Sequence, residues 1–186
     1  MNDVAISPDG SLVASASRYA GVCVWHSDTG RLAYRLTGHA DGKGAARVTF
    51  SPDGRMLATG GDDWTVRLWD AATGRQLRIL RAYRYGMLGF VNDLQVAFTP
   101  DGTKLVTGAH DGIVQVWDVA TGKRMSQIPG PAVAPEFAKY AITVMALAVA
   151  PDGHTIAVAD FPNKTIRLLD IAPAQRCRSF PANCSV

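Results

Sequence analysis

Asp62 and Asp63 stand side by side in the chain, and an adjacent pair of carboxylates can serve acid–base catalysis or hold a cation. They belong to Gly60-Gly61-Asp62-Asp63, however, a tight-turn sequence in which aspartates bond nearby backbone, and that local role accounts for Asp62 without chemistry. The glycines precede no helix, so they cannot form a phosphate-cradling loop. The cysteines are Cys23, Cys177 and Cys184, without a Cys-x-x-Cys pair or a histidine at ligand spacing. That pattern disfavours zinc and a disulfide framework, and leaves a Cys177–Cys184 bridge as an open alternative. No His-Glu-x-x-His, Gly-x-Ser-x-Gly or free-standing Ser, His, Asp arrangement occurs. No catalytic residue, cofactor-binding residue or metal ligand is therefore assigned, and the chain is not expected to be an enzyme.

The elements around Asp63 explain its setting. In RVTFSPDG, residues 47–54, Pro52 presets φ for the second turn position and Gly54 supplies a left-handed residue, so the tetrapeptide reads as a hairpin turn. Val48-Thr49-Phe50 before it and Met56-Leu57-Ala58-Thr59 after it read as paired strands. The Gly60–Asp63 turn leads into Thr65-Val66-Arg67-Leu68-Trp69, and Ala72-Thr73-Gly74 delivers the chain into a fourth strand, residues 75–80.

This unit recurs. The turn appears as SPDG from Ser7, SPDG from Ser51, TPDG from Thr99 and APDG from Ala150, at spacings of 44, 48 and 51 residues. Downstream, Val22-Cys23-Val24-Trp25-His26 matches Val66-Arg67-Leu68-Trp69-Asp70, Val114-Gln115-Val116-Trp117-Asp118 and Ile166-Arg167-Leu168-Leu169-Asp170. A period of this length is the signature of a repeat architecture. The histidines His26, His39, His110 and His154 each fall at or beside a repeat position, which assigns them structural or solvent roles.

On these residues the sequence resembles the WD-repeat β-propeller family, whose units carry a Gly-His pair, a Ser-Pro-Asp-Gly-like hairpin and a closing Trp-Asp. The resemblance implies an all-β fold of four-stranded antiparallel blades, four in this chain, over approximate ranges 1–36, 37–80, 81–128 and 129–180. It also implies a structural lock in each blade, formed by a His, a Ser or Thr, an Asp and a Trp. Repeat two supplies His39, Thr59, Asp63 and Trp69. Repeat three keeps Thr107, Asp111 and Trp117 without a Gly-His. Repeat one has Ser15 and Trp25, with Tyr19 at the Asp position. Repeat four has Val158, Asn163 and Leu169, so its lock is expected to be largely apolar and the outer repeats softer.

With 47% apolar and 19% charged residues the chain has an ordinary globular balance. Its apolar runs fall short of the roughly 18 residues that cross a bilayer, and no basic, then apolar leader opens it, so a cytoplasmic protein with no membrane partner is expected. The net charge is +3 and the arginines are spread over every repeat without forming one run, which permits nucleic acid without indicating it. Four repeats are few for this family, leaving three readings: a small closed ring, a half-ring completed by self-association of two chains, or part of a larger propeller. The last also reads as a regulatory or sensor segment of a larger protein such as a kinase or protease.

Two insertions break the period, 81–90 and 129–140. The first is rich in Arg and aromatic residues, types enriched at interface hot spots. The resemblance places such connections on the face that holds partners. Arg81, Tyr83, Arg84, Tyr85, Phe90, Phe137 and Tyr140 are therefore the candidates for binding a protein or peptide. Alternatives stay open: Met87, Leu88 and Phe90 pack over a neighbouring blade, the 81–90 insertion binds RNA by stacking and phosphate contacts, or the second insertion, with its prolines, is an ordered spacer. The expected function is a noncatalytic interaction scaffold.

Overall fold

The computed structural model describes residues 2–17, 19–39, 44–82, 94–109, 111–132, 143–161, 163–171 and 178–181. The chain divides into two compact units, Met1–Gly86 and Met87–Val186. Among the described residues each unit holds two four-stranded antiparallel sheets, and each sheet is a simple meander.

In the first unit, β1 (Asp3–Ile6), β2 (Leu12–Ser17), β3 (Gly21–His26) and β4 (Leu32–Leu36) form the first sheet. β5 (Ala45–Phe50), β6 (Met56–Gly61), β7 (Thr65–Asp70) and β8 (Gln76–Arg81) form the second. The turns behave as their sequences demand. The Ser7 carbonyl accepts the Gly10 N–H at 2.8 Å, Gly10 sits at φ +75°, and Ser51 and Gly54 repeat the arrangement at 2.9 Å and φ +71°. Asp9 accepts from the Ser7 hydroxyl at 2.6 Å and Asp53 from the Ser51 hydroxyl at 2.6 Å, so each corner is closed by its own side chains.

Alternation along the strands gives each sheet two faces. One face of the first sheet, with Ala14, Ala16, Val22, Val24 and Leu36, packs on Val48, Phe50, Leu57 and Trp69 of the second. Two hydrogen bonds and one apolar contact fix that packing. The Val48 N–H donates to Asp3 Oδ2 at 3.0 Å, the Tyr34 hydroxyl donates to the Ala71 carbonyl, and Pro8 Cδ lies against Gly54. The Tyr34 ring also fills the space beside Gly74, whose φ of +69° and close neighbour admit no side chain.

The second unit repeats the plan. β9 (Gln95–Phe98), β10 (Lys104–Gly108), β11 (Val114–Asp118) and β12 (Arg124–Ile128) form one sheet, and β13 (Thr143–Val149), β14 (Thr155–Phe161), β15 (Thr165–Asp170) and β16 (Arg178–Pro181) the other. Val106, Val114, Val116 and Ile128 pack on Val144, Ile156, Val158 and Leu169. Gly108 is small because Val144 Cγ1 would lie 2.7 Å from any Cβ there.

In the fourth repeat the lock positions Val158 and Leu169 are apolar and buried, and beside them, at positions the repeat pattern does not single out, Asp160 and Arg167 form an ion pair with side chains 0% and 3% exposed. Arg167 Nε donates to Asp160 Oδ2 at 2.5 Å and Nη2 to Oδ1 at 3.0 Å. Its amino groups also donate to the carbonyls of Pro129 and Gly112, each at 3.1 Å, so the pair ties β15 to the neighbouring sheet. Asn163 Nδ2 donates to the Ala132 carbonyl at 3.0 Å.

Candidate functional site

Register makes the four repeats comparable position by position. Ser15 pairs with Cys23, Thr59 with Arg67, Thr107 with Gln115 and Val158 with Arg167. Around Thr59 the second repeat builds a continuous chain of hydrogen bonds. Trp69 Nε1 donates to Thr59 Oγ1 at 2.9 Å, Thr59 Oγ1 lies 2.8 Å from His39 Nε2, and His39 Nδ1 lies 3.0 Å from Asp63 Oδ1. With Asp63 ionised and acceptor-only, the His39 Nδ1–H donates to it and Nε2 accepts the Thr59 hydroxyl proton, so every member of the chain is used once. Asp63 also accepts from the Thr65 hydroxyl at 2.7 Å and from Arg67 Nη2 at 3.2 Å. Gly61 leaves the space for this chain, since a Cβ there would meet the His39 ring.

The other repeats are reduced versions. Trp117 Nε1 donates to Thr107 Oγ1 at 3.1 Å, and the Asp111 carboxylate accepts the Ile113 N–H at 3.0 Å. In the first repeat Trp25 Nε1 reaches Ser15 Oγ at 3.4 Å, and Tyr19 is 97% exposed and takes no part. At the position of Gly61 the fourth repeat carries Asp160, so a carboxylate on the strand replaces the histidine and turn aspartate of repeat two.

The two lock aspartates titrate in opposite directions. Burial raises Asp63, but the hydrogen bonds from His39 and Thr65 outweigh it and leave the carboxyl well below its usual range. At Asp111 burial dominates over the Ile113 N–H and raises the carboxyl. The hairpin aspartates are held low by hydrogen bonds: Asp9 at about 2, first through the Ser7 hydroxyl; Asp101 at about 2, first through the Thr99 hydroxyl; and Asp152 at about 2, first through the Thr155 N–H. Asp53 is lowered in the same way by Ser51.

A carboxyl lowered by folding contributes stability that is complete above its unfolded value near 3.9 and is lost as pH falls through its folded value. Asp111 contributes with the opposite sign. Because the lowered groups outnumber it, the urea midpoint followed by tryptophan fluorescence is expected to hold steady above about pH 5 and to fall steeply between about pH 4 and 2. A midpoint unchanged down to pH 2.5 would contradict the hydrogen-bonded turns.

The end of each sheet where a partner would meet loops follows from the meander. Turns between second and third strands emerge at the same end as the exit of the fourth strand. In the first unit the opposite turns meet at Pro8 and Gly54. Of the turns between second and third strands, Tyr19 stands on one and Trp64, half-buried, on the other. Trp64 is held at φ +64°, where repeat three has Gly112 at φ +68° and repeat four Lys164 at φ +50°. Arg81 is exposed at the exit of β8 and pairs with Thr65, next to Trp64. Tyr83, Arg84, Tyr85, Phe90, Phe137 and Tyr140 lie outside the described residues, as do His110, Cys177 and Cys184. Position-by-position spacing does not single out Trp64; its backbone angle does.

At the opposite end of the unit a cleft of about 640 Å³ runs between Pro8, Leu12, Arg55 and Ala71. Its aspartates close the turns around it: Asp9 holds Ser11, Asp53 holds Ser51 and Asp70 holds Thr73. Among the described residues no three His, Cys, Asp or Glu side chains are grouped to hold a metal ion, and no helix is long and apolar enough to cross a membrane. His26 and His154 are exposed.

Residues 1–26, 30–70 and 75–118, more than half of the chain, match the family described as WD domain, G-beta repeat. Two solved structures are similar along nearly the whole length: the structure of U3-55K and the crystal structure of RRP9 WD40 repeats, each at 22% identity and a TM-score of 0.76. The match covers 97% of this chain but 51% and 50% of those chains, so this chain spans about half their length. At that identity the likeness carries fold alone. No curated protein sequence matches the chain.

Proposed function

The chain belongs to the WD domain, G-beta repeat family, whose members generally hold other proteins, and on that premise we propose that it is a noncatalytic scaffold gripping a protein or peptide at the loop end carrying Tyr19, Trp64 and Arg81. The observation that carries this reading is Trp64. A bulky side chain in the left-handed region costs roughly 1–2 kcal/mol, and such strain gathers at functional sites. Arg81, at the strand exit, pairs with Thr65 next to Trp64, and the matching turn of the first sheet carries Tyr19, 97% exposed. Tyr, Trp and Arg are the residues that dominate binding hot spots.

The test separates binding from folding. Trp64→Gly adopts the turn without strain, as Gly112 does in repeat three. Relief of about 1 kcal/mol offsets the lost indole packing, so the thermal midpoint is expected within a few degrees of wild type. Affinity capture on immobilised wild type and on the Trp64→Gly, Tyr19→Ala double variant, followed by mass spectrometry, is expected to show partners retained by the first and lost by the second. Equal capture by both would remove this face from the reading.

A further inference from the structure

The cleft of about 640 Å³ at the hairpin corners of the first unit lies within one joint. Leu12 and Ala71 pack into the core between the two sheets and Pro8 lies against Gly54, so both walls come from sheets of this unit. Pro8, Leu12 and Ala71 give the cleft an apolar floor, and Asp9, Asp53 and Asp70 stand around it. Turn hydrogen bonds hold all three carboxyls below their usual range, first through Ser7 at Asp9, Ser51 at Asp53 and Thr73 at Asp70, so all are ionised at neutral pH. Among the described lining residues the one cation is Arg55, whose side chain is 86% exposed and comes no closer to Asp53 than 4.0 Å. The cleft is therefore locally acidic in a chain whose net charge is +3.

The second unit answers the same corner from within. Backbone bonds fix the correspondence: the Ala71 N–H donates to the Arg55 carbonyl at 2.9 Å and the Ile171 N–H to the His154 carbonyl at 2.8 Å. Leu12 and Lys104 likewise each pair with the last residue of the neighbouring strand, His26 and Asp118. Lys104 thus stands where the first unit has Leu12, and Asp101, lowered first by the Thr99 hydroxyl, is lowered also by the Lys104 charge. Ile171, buried, stands where the first unit has Ala71. The first unit has neither that cation nor that bulk at its own acidic corner.

We propose that this cleft receives an arginine side chain from a basic peptide segment of a partner protein, its aliphatic stem on Pro8, Leu12 and Ala71 and its guanidinium among Asp9, Asp53 and Asp70. Charge complementarity selects the sign of the visitor, and the apolar floor selects a long stem, since such stems lie readily along apolar surface. A guanidinium is less strongly hydrated than an ammonium and offers five donors, which suits a half-apolar site ringed by several carboxylates. The turn bonds of Asp53 and Asp70 fall on Oδ1, which leaves the second oxygen of each for an outside donor. With the Asp53 side chain 54% exposed the rim is too open to bury a small ligand, whereas a side chain delivered by a larger partner brings its own cover. The site lies at the opposite end of the unit from Trp64 and does not rest on the loop end proposed to grip a partner.

The probe is the blocked peptide acetyl-Gly-Gly-Arg-Gly-Gly-amide, with counterparts carrying lysine or the neutral isostere citrulline in place of the arginine, each titrated into the isotope-labelled chain and followed by amide NMR. The arginine peptide is expected to give saturable shifts at Leu12, Arg55, Ala71 and Ala72 and none at Trp64, the lysine peptide to bind more weakly, and the citrulline peptide not to bind. Leu12→Lys copies the residue that the second unit carries in this register, and is expected to weaken arginine binding by about tenfold or more. If that variant unfolds, as circular dichroism would show, Asp53→Asn with Asp70→Asn keeps an acceptor oxygen for each turn, removes the charge and is expected to weaken binding in the same way. The absence of saturable shifts at the cleft overturns the proposal. So does a citrulline or lysine peptide that binds as tightly as the arginine one, or a folded variant that binds as wild type does.

Discussion

Replacing Arg167 by methionine is expected to destabilise the second unit by about 3–5 kcal/mol, the loss seen when one partner of a buried ion pair is removed. The magnitude follows from what the substitution strands. Asp160, with its side chain fully buried, loses both of its guanidinium bonds, and the carbonyls of Pro129 and Gly112 lose donors at the same time. For a chain of this length the thermal midpoint falls roughly 6–20 °C. Asp160→Leu with Arg167→Met removes charge and countercharge together among Val144, Ile156 and Val158, and is expected to recover most of the loss. Hydrogen exchange locates the effect: protection drops in β13–β15 and persists in β5–β8. A single variant within 1 kcal/mol of wild type, or a double variant as unstable as the single, would show that the pair does not carry this joint.

The contrast between repeats two and four also shows what the sequence could reveal. The strands and corners were legible because their signals are local: a proline and a glycine at fixed turn positions, and β-branched residues alternating on either side. The lock of repeat two was legible through the family resemblance, which supplies the spacing of His39, Thr59, Asp63 and Trp69. Asp160 and Arg167 were not. They are seven residues apart on neighbouring strands, and only the pairing of β14 with β15 puts both on the buried face. A charged pair inside a sheet reads in sequence like two solvated residues, and its burial depends on a neighbouring sheet that local pattern cannot supply. Trp64 stayed hidden for a related reason, since a turn tolerant of glycine gives no sign that the tryptophan must take the same backbone angle.

Thr59→Val tests the lock where it is complete. Valine keeps the shape of threonine, and the site is 0% exposed, so packing changes little while the hydroxyl disappears. That hydroxyl both accepts the Trp69 indole N–H and donates to His39, so its loss leaves two buried polar groups without partners. Each such group costs about 1–3 kcal/mol, and a total near 3 kcal/mol lowers the thermal midpoint by roughly 6–12 °C. The same change at Thr107 strands only the Trp117 indole N–H and is expected to cost about half as much. The ratio is the informative quantity, because both substitutions delete the same atom in the same register. Equal losses would mean that His39 and Asp63 add nothing to the tryptophan bond. A deficit confined to Thr59 that disappears in a His39→Leu background would show the two acting as one network, since the cycle then records their coupling directly.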